Sequence, residues 1–348
     1  MADLKIDAIE LVDCRDLAGP GDDPFIVEVR AGSAAGWYGP LCAEVAASIN
    51  ALRERALEAP INDHAGLASR LRPAGVGPVA SNMSWAIGAL DCAVWDVHAR
   101  AEGVSVAELL GAGGPPTEVP AYASLLSLNV HDDRNSDTIT DIAADGWQFT
   151  KWNLRPGLGL AAGTDAERLA MAIRRVQALA GTAAAFDALW AWSASLTRHF
   201  GALAEPGDIV WLEEPHPHHD APGYSTASAQ VPLGLGERLR LSEEPVLLAL
   251  PALAAFTVDV VGCGGLTAAV NLVRRARDTG VPVYPHGRSL LPALHLAAAF
   301  PDAVPAVEYQ VRWQPRRNQL VHHPADVNTG RITIARPMGL GPTPRRWL

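Results

Sequence analysis

Seven polar residues recur at regular intervals in the second part of the sequence, each at the end of a short apolar run. The successive gaps between them are 36, 26, 24, 22, 27 and 22 residues, about one strand plus one helix each time. A single acid after a strand is more often a helix cap than a ligand, but seven at the same phase of a repeat favour a shared site. These residues are Lys151, Asp187, Glu213, Glu237, Asp259, His286 and Glu308.

Three of these residues, Asp187, Glu213 and Glu237, follow three consecutive predicted strands. Hard oxygen ligands, with no Cys or His beside them, suit Mg²⁺ better than zinc. Glu213 is followed directly by Glu214, and the alternation of side chains along a strand lets only one of the pair face the centre. We therefore predict a Mg²⁺ site in which Glu213 points inward and Glu214 supports it.

The elements that must position these residues form two stretches that differ in the order of their strands and helices. Before about residue 118, strands precede helices, and the run "SWAIGALDCAVWDVHARAEG" (84–103) shows helical spacing of apolar residues. After it, eight short apolar runs alternate with Ala/Arg-rich helical segments. Eight such units predict a (β/α)8-type TIM barrel, whose strand ends all point at one place. A doubly wound sheet is the competing fold, but its glycine-rich first turn is missing.

Composition excludes several classes of partner. The chain has 348 residues, is 49% hydrophobic and carries a net charge of −10, which disfavours nucleic acid. The sequence contains no long uncharged apolar run, so it predicts no membrane span. Four widely spaced cysteines predict reduced thiols in a cytoplasmic protein. Only two of the 28 basic residues are lysines, Lys5 and Lys151, so a special role for Lys151 is worth testing.

Five motifs resemble the enolase superfamily, in its mandelate racemase/muconate lactonizing branch. They are "FDALWAWS", "WLEEP", "GLGE", "DVVGCGGLT" and "VPVYPHG", in this order, and "ALDCAVWDVHARAEGVSVAELLGA" resembles the last helix of that family's capping domain. The resemblance covers nearly the whole chain. It implies an α+β capping domain at 1–117, a barrel of the (β/α)7β kind at 118–319, and a C-terminal segment, 320–348, that returns to the capping domain. It also implies a homo-oligomer.

The resemblance implies a reaction on a small carboxylate substrate. A base removes the proton alpha to the carboxylate, and Mg²⁺ held by Asp187, Glu213 and Glu237 stabilises the enediolate. The motifs assign the base to His286, with Asp259 fixing its tautomer. Lys151 matches the first lysine of the family's Lys-x-Lys pattern on strand two and would stabilise the substrate carboxylate.

The sequence departs from this pattern at Asn153, which replaces the second lysine and is expected to contact the substrate instead. Asparagine cannot take a proton, whereas a racemase needs two opposed bases. A dehydratase needs one, because the same imidazole can remove the alpha proton and then protonate the departing beta-hydroxyl. We therefore expect a dehydratase of an acid sugar, an aldonate or aldarate. Arg155 could fill the vacated space, although an ordinary salt bridge is the stronger expectation for it.

Further candidates for substrate contact are weaker. Glu308 resembles a family position that hydrogen-bonds the substrate, or it is an ordinary glutamate at a strand end. Trp37 and Tyr38 stand where the capping domain would close over the barrel, and they either line a sugar or pack the two domains together. For His216, His218 and His219, which follow the second metal strand, we expect surface positions.

Three alternatives remain open. The first is a racemase or epimerase of a 2-hydroxy or amino acid with a nonstandard second base. The second is a catalytically silent binding relative, for which the missing lysine is the best argument. A cycloisomerase is least favoured, since that branch relies on lysines on strands two and six.

Overall fold

The structure is a computed structural model that describes residues 4–72, 82–205, 207, 209–217, 220–228, 230–238 and 249–345. Its first part begins with an antiparallel sheet of three strands, β1 (Ala8–Asp13), β2 (Phe25–Ala31) and β3 (Ala34–Leu41), in the order β1-β2-β3. Four helices follow: α1 (Ala43–Ala56), α2 (His64–Leu71), α3 (Asn82–Glu102) and α4 (Val106–Leu109).

Helix α3 joins this first part to the second. The predicted helical spacing is confirmed, since Leu90, Val94 and Val97 are all buried. Gly88 lies on the face that approaches the second part, and a Cβ there would come within 2.0 Å of the Val261 carbonyl oxygen. Asp91, on the same helix, accepts from the backbone N–H of Thr267 at 3.0 Å. The two parts therefore meet at backbone distance beside residues 259–267.

The second part is built on parallel strands. Their bounds are β4 (Val119–Leu125), β5 (Thr150–Asn153), β6 (Ala184–Asp187), β7 (Ile209–Glu213), β8 (Leu233–Leu235), β9 (Leu253–Phe256) and β10 (Val307–Gln310). They pair in chain order from β4 to β9, and β10 pairs in parallel with β4. The predicted barrel class is confirmed by this sheet together with the comparisons given below.

Between β9 and β10, the chain runs alongside both strands without forming a regular strand itself. Val283 makes an isolated parallel bridge to Phe256, and the backbone N–H of Glu308 donates to Pro285. The run "VPVYPHG", predicted as a strand, is thus an irregular segment, since prolines 282 and 285 have no N–H to donate. Strand β9, the sixth of the parallel strands, ends at Phe256, so Asp259 lies in the loop that follows β9 rather than on the strand.

Helices flank the parallel strands. They are α5 (Ser136–Ala144), α6 (Ala162–Ala180), α7 (Ala194–Gly201), α8 (Ala221–Ser228), α9 (Leu266–Thr279), α10 (Leu290–Ala299) and α11 (Gln314–Arg317). The periodic segments predicted at 164–180 and 265–279 correspond to α6 and α9. Both end at a glycine in the left-handed conformation, Gly181 and Gly280, where other residues would be strained.

The C-terminal segment contains four short strands: β11 (Val321–His322), β12 (Asp326–Asn328), β13 (Arg331–Thr333) and β14 (Thr343–Pro344). The β12–β13 hairpin adds antiparallel to β4. Further on, the backbone of Leu340 donates to Asp96 of α3 at 2.6 Å, so the segment does contact the first part. The exact domain division at 117/118 and 319/320 stays a prediction.

Four aromatic side chains pack inside the parallel sheet, below the strand ends. Tyr122 stacks on Phe149 with 4.6 Å between ring centroids, and Trp211 lies 5.0 Å from Phe149 and 4.9 Å from Tyr284. This layer keeps the region under the candidate site apolar, which strengthens electrostatic interactions above it. No helix among the described residues combines the length and the apolar character needed to cross a bilayer.

Candidate active site

Lys151 lies at the centre of a group of buried carboxylates. Its Nζ donates to both oxygens of Glu213, at 2.9 and 3.0 Å, and lies 3.8 Å from Asp187. The Lys151 side chain is completely buried, and burial opposes its charge, but the carboxylates outweigh burial and raise its pKa well above the ordinary value. Lys151 is therefore a fixed ammonium.

Glu308 connects this group to the predicted base. One oxygen lies 3.0 Å from Lys151 Nζ, and the other accepts from the Gly287 backbone at 2.7 Å and lies 3.8 Å from His286 Nε2. Burial alone would raise the pKa of Glu308, but Lys151 and His286 lower it to about 2. Glu308 is thus a buried anion between two cationic groups.

His286 and Asp259 form a hydrogen-bonded pair. His286 Nδ1 lies 3.1 Å from Asp259 Oδ2, so Nε2 is left to face the site. Asp259 Oδ1 accepts from the Gly262 N–H and from the Ser289 hydroxyl, both at 2.7 Å. Burial opposes a charge on His286, but Glu237 and Glu308 outweigh it and raise the imidazole pKa to about 10.

Two neighbours of this pair, Ser289 and Gln310, were not predicted from the sequence. Ser289 lies in the turn after His286 and also shares a hydrogen bond with Tyr38 of β3, which links the first part of the fold to the pair. Gln310 Nε2 lies 3.4 Å from His286 Nε2. Its place two residues after Glu308 on one strand was the available indication, because such residues share a face.

Glu214 is buried and bonded through both of its oxygens, whereas its expected support of a metal bound by Glu213 stays a prediction. One of its oxygens accepts from the backbone N–H groups of Gly236 and Glu237, at 2.9 and 3.2 Å. The other accepts from Trp190 Nε1 at 3.1 Å and from the Tyr224 hydroxyl at 2.8 Å. Glu214 therefore fixes the turn that carries Glu237.

The three predicted metal ligands fit a hard divalent cation by their chemistry. Burial raises the pKa of Asp187 and of Glu213 to about 7 and raises that of Glu237, and repulsion among the three carboxylates adds to this effect. A cation among them would relieve that repulsion. Within the described ranges, no three such side chains are already arranged as a metal site, and Glu213 is instead occupied by Lys151 and by Trp211 Nε1, at 2.9 Å.

Asn153 and Arg155 show no contact that supports a role in substrate binding. Asn153 is aligned with Asp187 across the sheet, but its amide donates to the Leu126 carbonyl at 3.0 Å and accepts from the Arg155 N–H at 2.9 Å. The Arg155 side chain is exposed. Asn153 thus ties two loops together, and its neutral amide stands where the second lysine was expected.

Trp37 and Tyr38 point in opposite directions. The Arg100 guanidinium lies 4.6 Å from the Trp37 ring, within the first part of the fold. Tyr38 is 6% exposed and reaches Ser289. Tyr38 therefore lies near the His286–Asp259 pair, whereas a substrate contact by Trp37 stays a prediction without structural support.

The expectation of a surface position is wrong for His216. Its ring is buried, with Nδ1 3.1 Å from the Trp192 carbonyl and Nε2 3.2 Å from the Thr197 hydroxyl. Because His216 follows the end of β7 by only three residues, its side chain lies under helix α7 rather than in solvent. His218 and His219 lie outside the described residues. Three of the four cysteines, Cys14, Cys92 and Cys263, are buried.

Comparison with known families decides the relationship. The "Enolase C-terminal domain-like" model matches residues 136–347, and the "Mandelate racemase / muconate lactonizing enzyme, N-terminal domain" model matches residues 33–111. The chain belongs to the mandelate racemase/muconate lactonizing enzyme family. It is an enolase-superfamily protein, and its relatives support enzymatic activity.

Two similar curated proteins act on acid sugars or their lactones. The L-talarate/galactarate dehydratase of Salmonella typhimurium is 27% identical over 299 residues, which are 82% of this chain and 71% of that protein. The D-galactarolactone cycloisomerase of Agrobacterium fabrum is 27% identical over 276 residues, 74% of this chain and 70% of that protein.

Two solved structures show the same fold. The 3,6-anhydro-D-galactonate cycloisomerase of Zobellia galactanivorans is 22% identical, with a TM-score of 0.82 over 98% of this chain and 97% of that one. The L-talarate dehydratase of Polaromonas sp. JS666, complexed with Mg and L-glucarate, is also 22% identical, with a TM-score of 0.78 over 98% and 95%. At this identity the likeness concerns the fold.

Proposed function

We propose that this protein is a Mg²⁺-dependent dehydratase of an acid sugar that uses one histidine as both base and acid. The observation that carries the proposal is the single His286–Asp259 pair. It faces the buried carboxylates, and no neutral base stands opposite it among the described residues. Asn153 is engaged by main-chain groups, and Lys151 is held in its charged form.

His286 Nε2 removes the proton from the carbon alpha to the substrate carboxylate. The carbon–oxygen bond at the beta position then breaks, and the same imidazolium returns its proton to the departing hydroxyl, which leaves as water. The resulting enol becomes a 2-keto-3-deoxy acid. Asp259 holds the imidazole through Nδ1 so that Nε2 can act in both steps.

Asp187, Glu213 and Glu237 are the residues that would hold the divalent cation. When bound, it supplies positive charge to the substrate carboxylate as negative charge develops there. The Lys151 ammonium provides a second positive charge on the same side. Positive charge near Glu237 also weakens the attraction that keeps His286 protonated, which favours the neutral imidazole that a base requires.

The test is turnover of a library of acid sugars with Mg²⁺, measured as 2-keto acid formation, with His286→Asn as the matched variant. We expect one or a few sugars to react and the variant to lose roughly 10²- to 10⁴-fold in rate. Equal activity of the variant would refute the role of His286. Deuterium entry from solvent into unreacted substrate, without ketone, would instead favour an epimerase.

A cycloisomerase is the second candidate, because a relative with that activity aligns over 74% of the chain. A ring oxygen in the beta position of a lactone or cyclic ether can leave by the same proton transfers, and the ring then opens without loss of water. Mass spectrometry separates the two reactions. A dehydratase product is lighter than its substrate by one water, whereas a cycloisomerase product has the same mass.

A further inference from the structure

A cavity of about 250 Å³ lies beside His286, between the loop that joins β1 to β2 and the segment that follows β10. His286 and Gln310 border it, and so do three arginines: Arg288, Arg316 and Arg317. Because the predicted metal ligands Asp187, Glu213 and Glu237 do not line this cavity, the cavity suits the end of a substrate that is remote from the reacting carbon.

Two of the three arginines already have carboxylate partners. Arg288 pairs with Asp23 at 2.8 Å, and Arg316 pairs with Asp22 at 3.1 Å. Both aspartates belong to the β1–β2 loop. The positive charges of Arg288 and Arg316 are therefore neutralised within the protein and leave little attraction for an anionic ligand.

Arg317 differs from its neighbours. Its guanidinium donates to the Gly287 carbonyl at 3.3 Å, and it makes no ion pair with any carboxylate among the described residues. Burial and the nearby Arg288 lower its pKa, which means that the charged form is poorly compensated where it stands. A half-buried guanidinium that faces a cavity without a carboxylate partner favours binding of an anion there.

We propose that Arg317 binds a second anionic group at the remote end of the substrate, so that the substrate is a dicarboxylate acid sugar rather than a monocarboxylate. This inference rests on the proposed function, which already assigns the first carboxylate to the Lys151 side of His286. Arg317 then determines specificity, because a hydroxymethyl group in place of the second carboxylate would leave its charge unpaired.

The experiment compares matched pairs of six-carbon acids, galactarate with galactonate and glucarate with gluconate, which differ only at the remote end. We expect the wild-type protein to prefer the diacid, and Arg317→Met to lower kcat/KM for the diacid roughly ten- to hundredfold, mostly through KM. The same variant should change the monoacid less than threefold. The matched control is Arg312→Met, since Arg312 is exposed and lies outside the cavity.

Binding of the diacid is measured separately by calorimetry. The two proteins compared are the His286→Asn variant and the double variant His286→Asn/Arg317→Met. Loss of diacid affinity with Arg317→Met supports the inference even if no sugar is dehydrated, in which case the proposed function alone fails. Dehydration of a monoacid without any preference for a diacid overturns the inference alone. A 6-phosphoaldonate that is preferred over every diacid would also overturn it, because the anion would then be a phosphate.

Discussion

Replacement of Lys151 by methionine tests whether the buried ammonium holds the carboxylates together. Met is of similar length but carries no charge, so Glu213 and Glu308 would lose the cation that lies 2.9–3.0 Å from their oxygens. Removal of one partner from a buried ion pair costs about 3–5 kcal/mol. We expect the free energy of unfolding to fall by that amount near pH 8.

The loss should depend on pH in a defined direction. Burial already raises the pKa of Glu213 to about 7 beside Lys151, so without the ammonium that pKa should rise further, and the pKa of Glu308 should rise from its lowered value. A carboxyl with a raised pKa in the folded state binds more protons folded than unfolded, so stability falls as pH rises. In the wild type the Glu308 pKa is lowered to about 2, so its contribution is complete above pH 4.5 and is lost only as pH falls towards 2. The difference between the two proteins should therefore be larger at pH 8 than at pH 5.

Urea unfolding followed by tryptophan fluorescence at both pH values measures this difference, and ten tryptophans provide the signal. The control is Lys5→Met, because Lys5 is exposed and its distance to Glu58 is 3.9 Å. That change should stay within about 0.5 kcal/mol. A loss below about 1 kcal/mol for Lys151→Met, or an equal loss at pH 5 and pH 8, would refute the reasoning.

Three further predictions concern stability and metal binding. Gly88→Ala should lower stability by about 1–3 kcal/mol, because its Cβ would collide with the Val261 carbonyl. Gly163→Ala, also in a helix but with its Cβ at an ordinary 3.5 Å from the nearest atom, in the His199 ring, should be neutral or stabilising in the same urea assay. Burial lowers the pKa of His295 to about 4, so stability should fall as pH drops from 6.5 to 4, by about 3 kcal/mol. His295→Asn keeps an acceptor for the Ala107 N–H, which donates to His295 Nδ1 at 3.1 Å, and should flatten this slope; an unchanged slope would contradict the assignment. Glu214→Gln replaces one carboxylate oxygen by an amide NH₂, which cannot accept from the N–H and O–H donors around it. It should weaken Mg²⁺ affinity roughly ten- to hundredfold, measured by titration of activity with Mg²⁺. An unaltered titration would show that the turn does not need this carboxylate.

The sequence predicted the architecture because each barrel strand repeats one local pattern, an apolar run ended by a polar residue. It failed where the backbone departs from that pattern. Asp259 lies beyond its strand, in a loop fixed by its own hydrogen bond to the Gly262 N–H. The segment before His286 is irregular, since two prolines interrupt the pairing. Both residues nevertheless reach one another, because loop and segment end at the same face.

Side-chain partners were less predictable than positions. Spacing brought Lys151 to the strand ends, but it could not show that Lys151 contacts Glu213 instead of open solvent. Asn153 was expected at the substrate, but its amide at the end of β5 bonds main-chain groups of the two neighbouring loops instead. Tyr38 could not be linked to Ser289 from sequence, since 251 residues separate them. Such contacts depend on how the two parts of the fold dock, which local patterns do not encode.

The scarcity of lysine gives this protein a built-in chemical probe. Its two lysines differ completely in access, because Lys5 has a side chain 55% exposed and Lys151 has none of its side chain exposed. An amine-selective reagent should therefore modify Lys5 in the native protein, whereas modification of Lys151 requires the strand ends to open. The rate at which Lys151 becomes labelled would report the frequency of that opening, residue-specifically and without any engineered label.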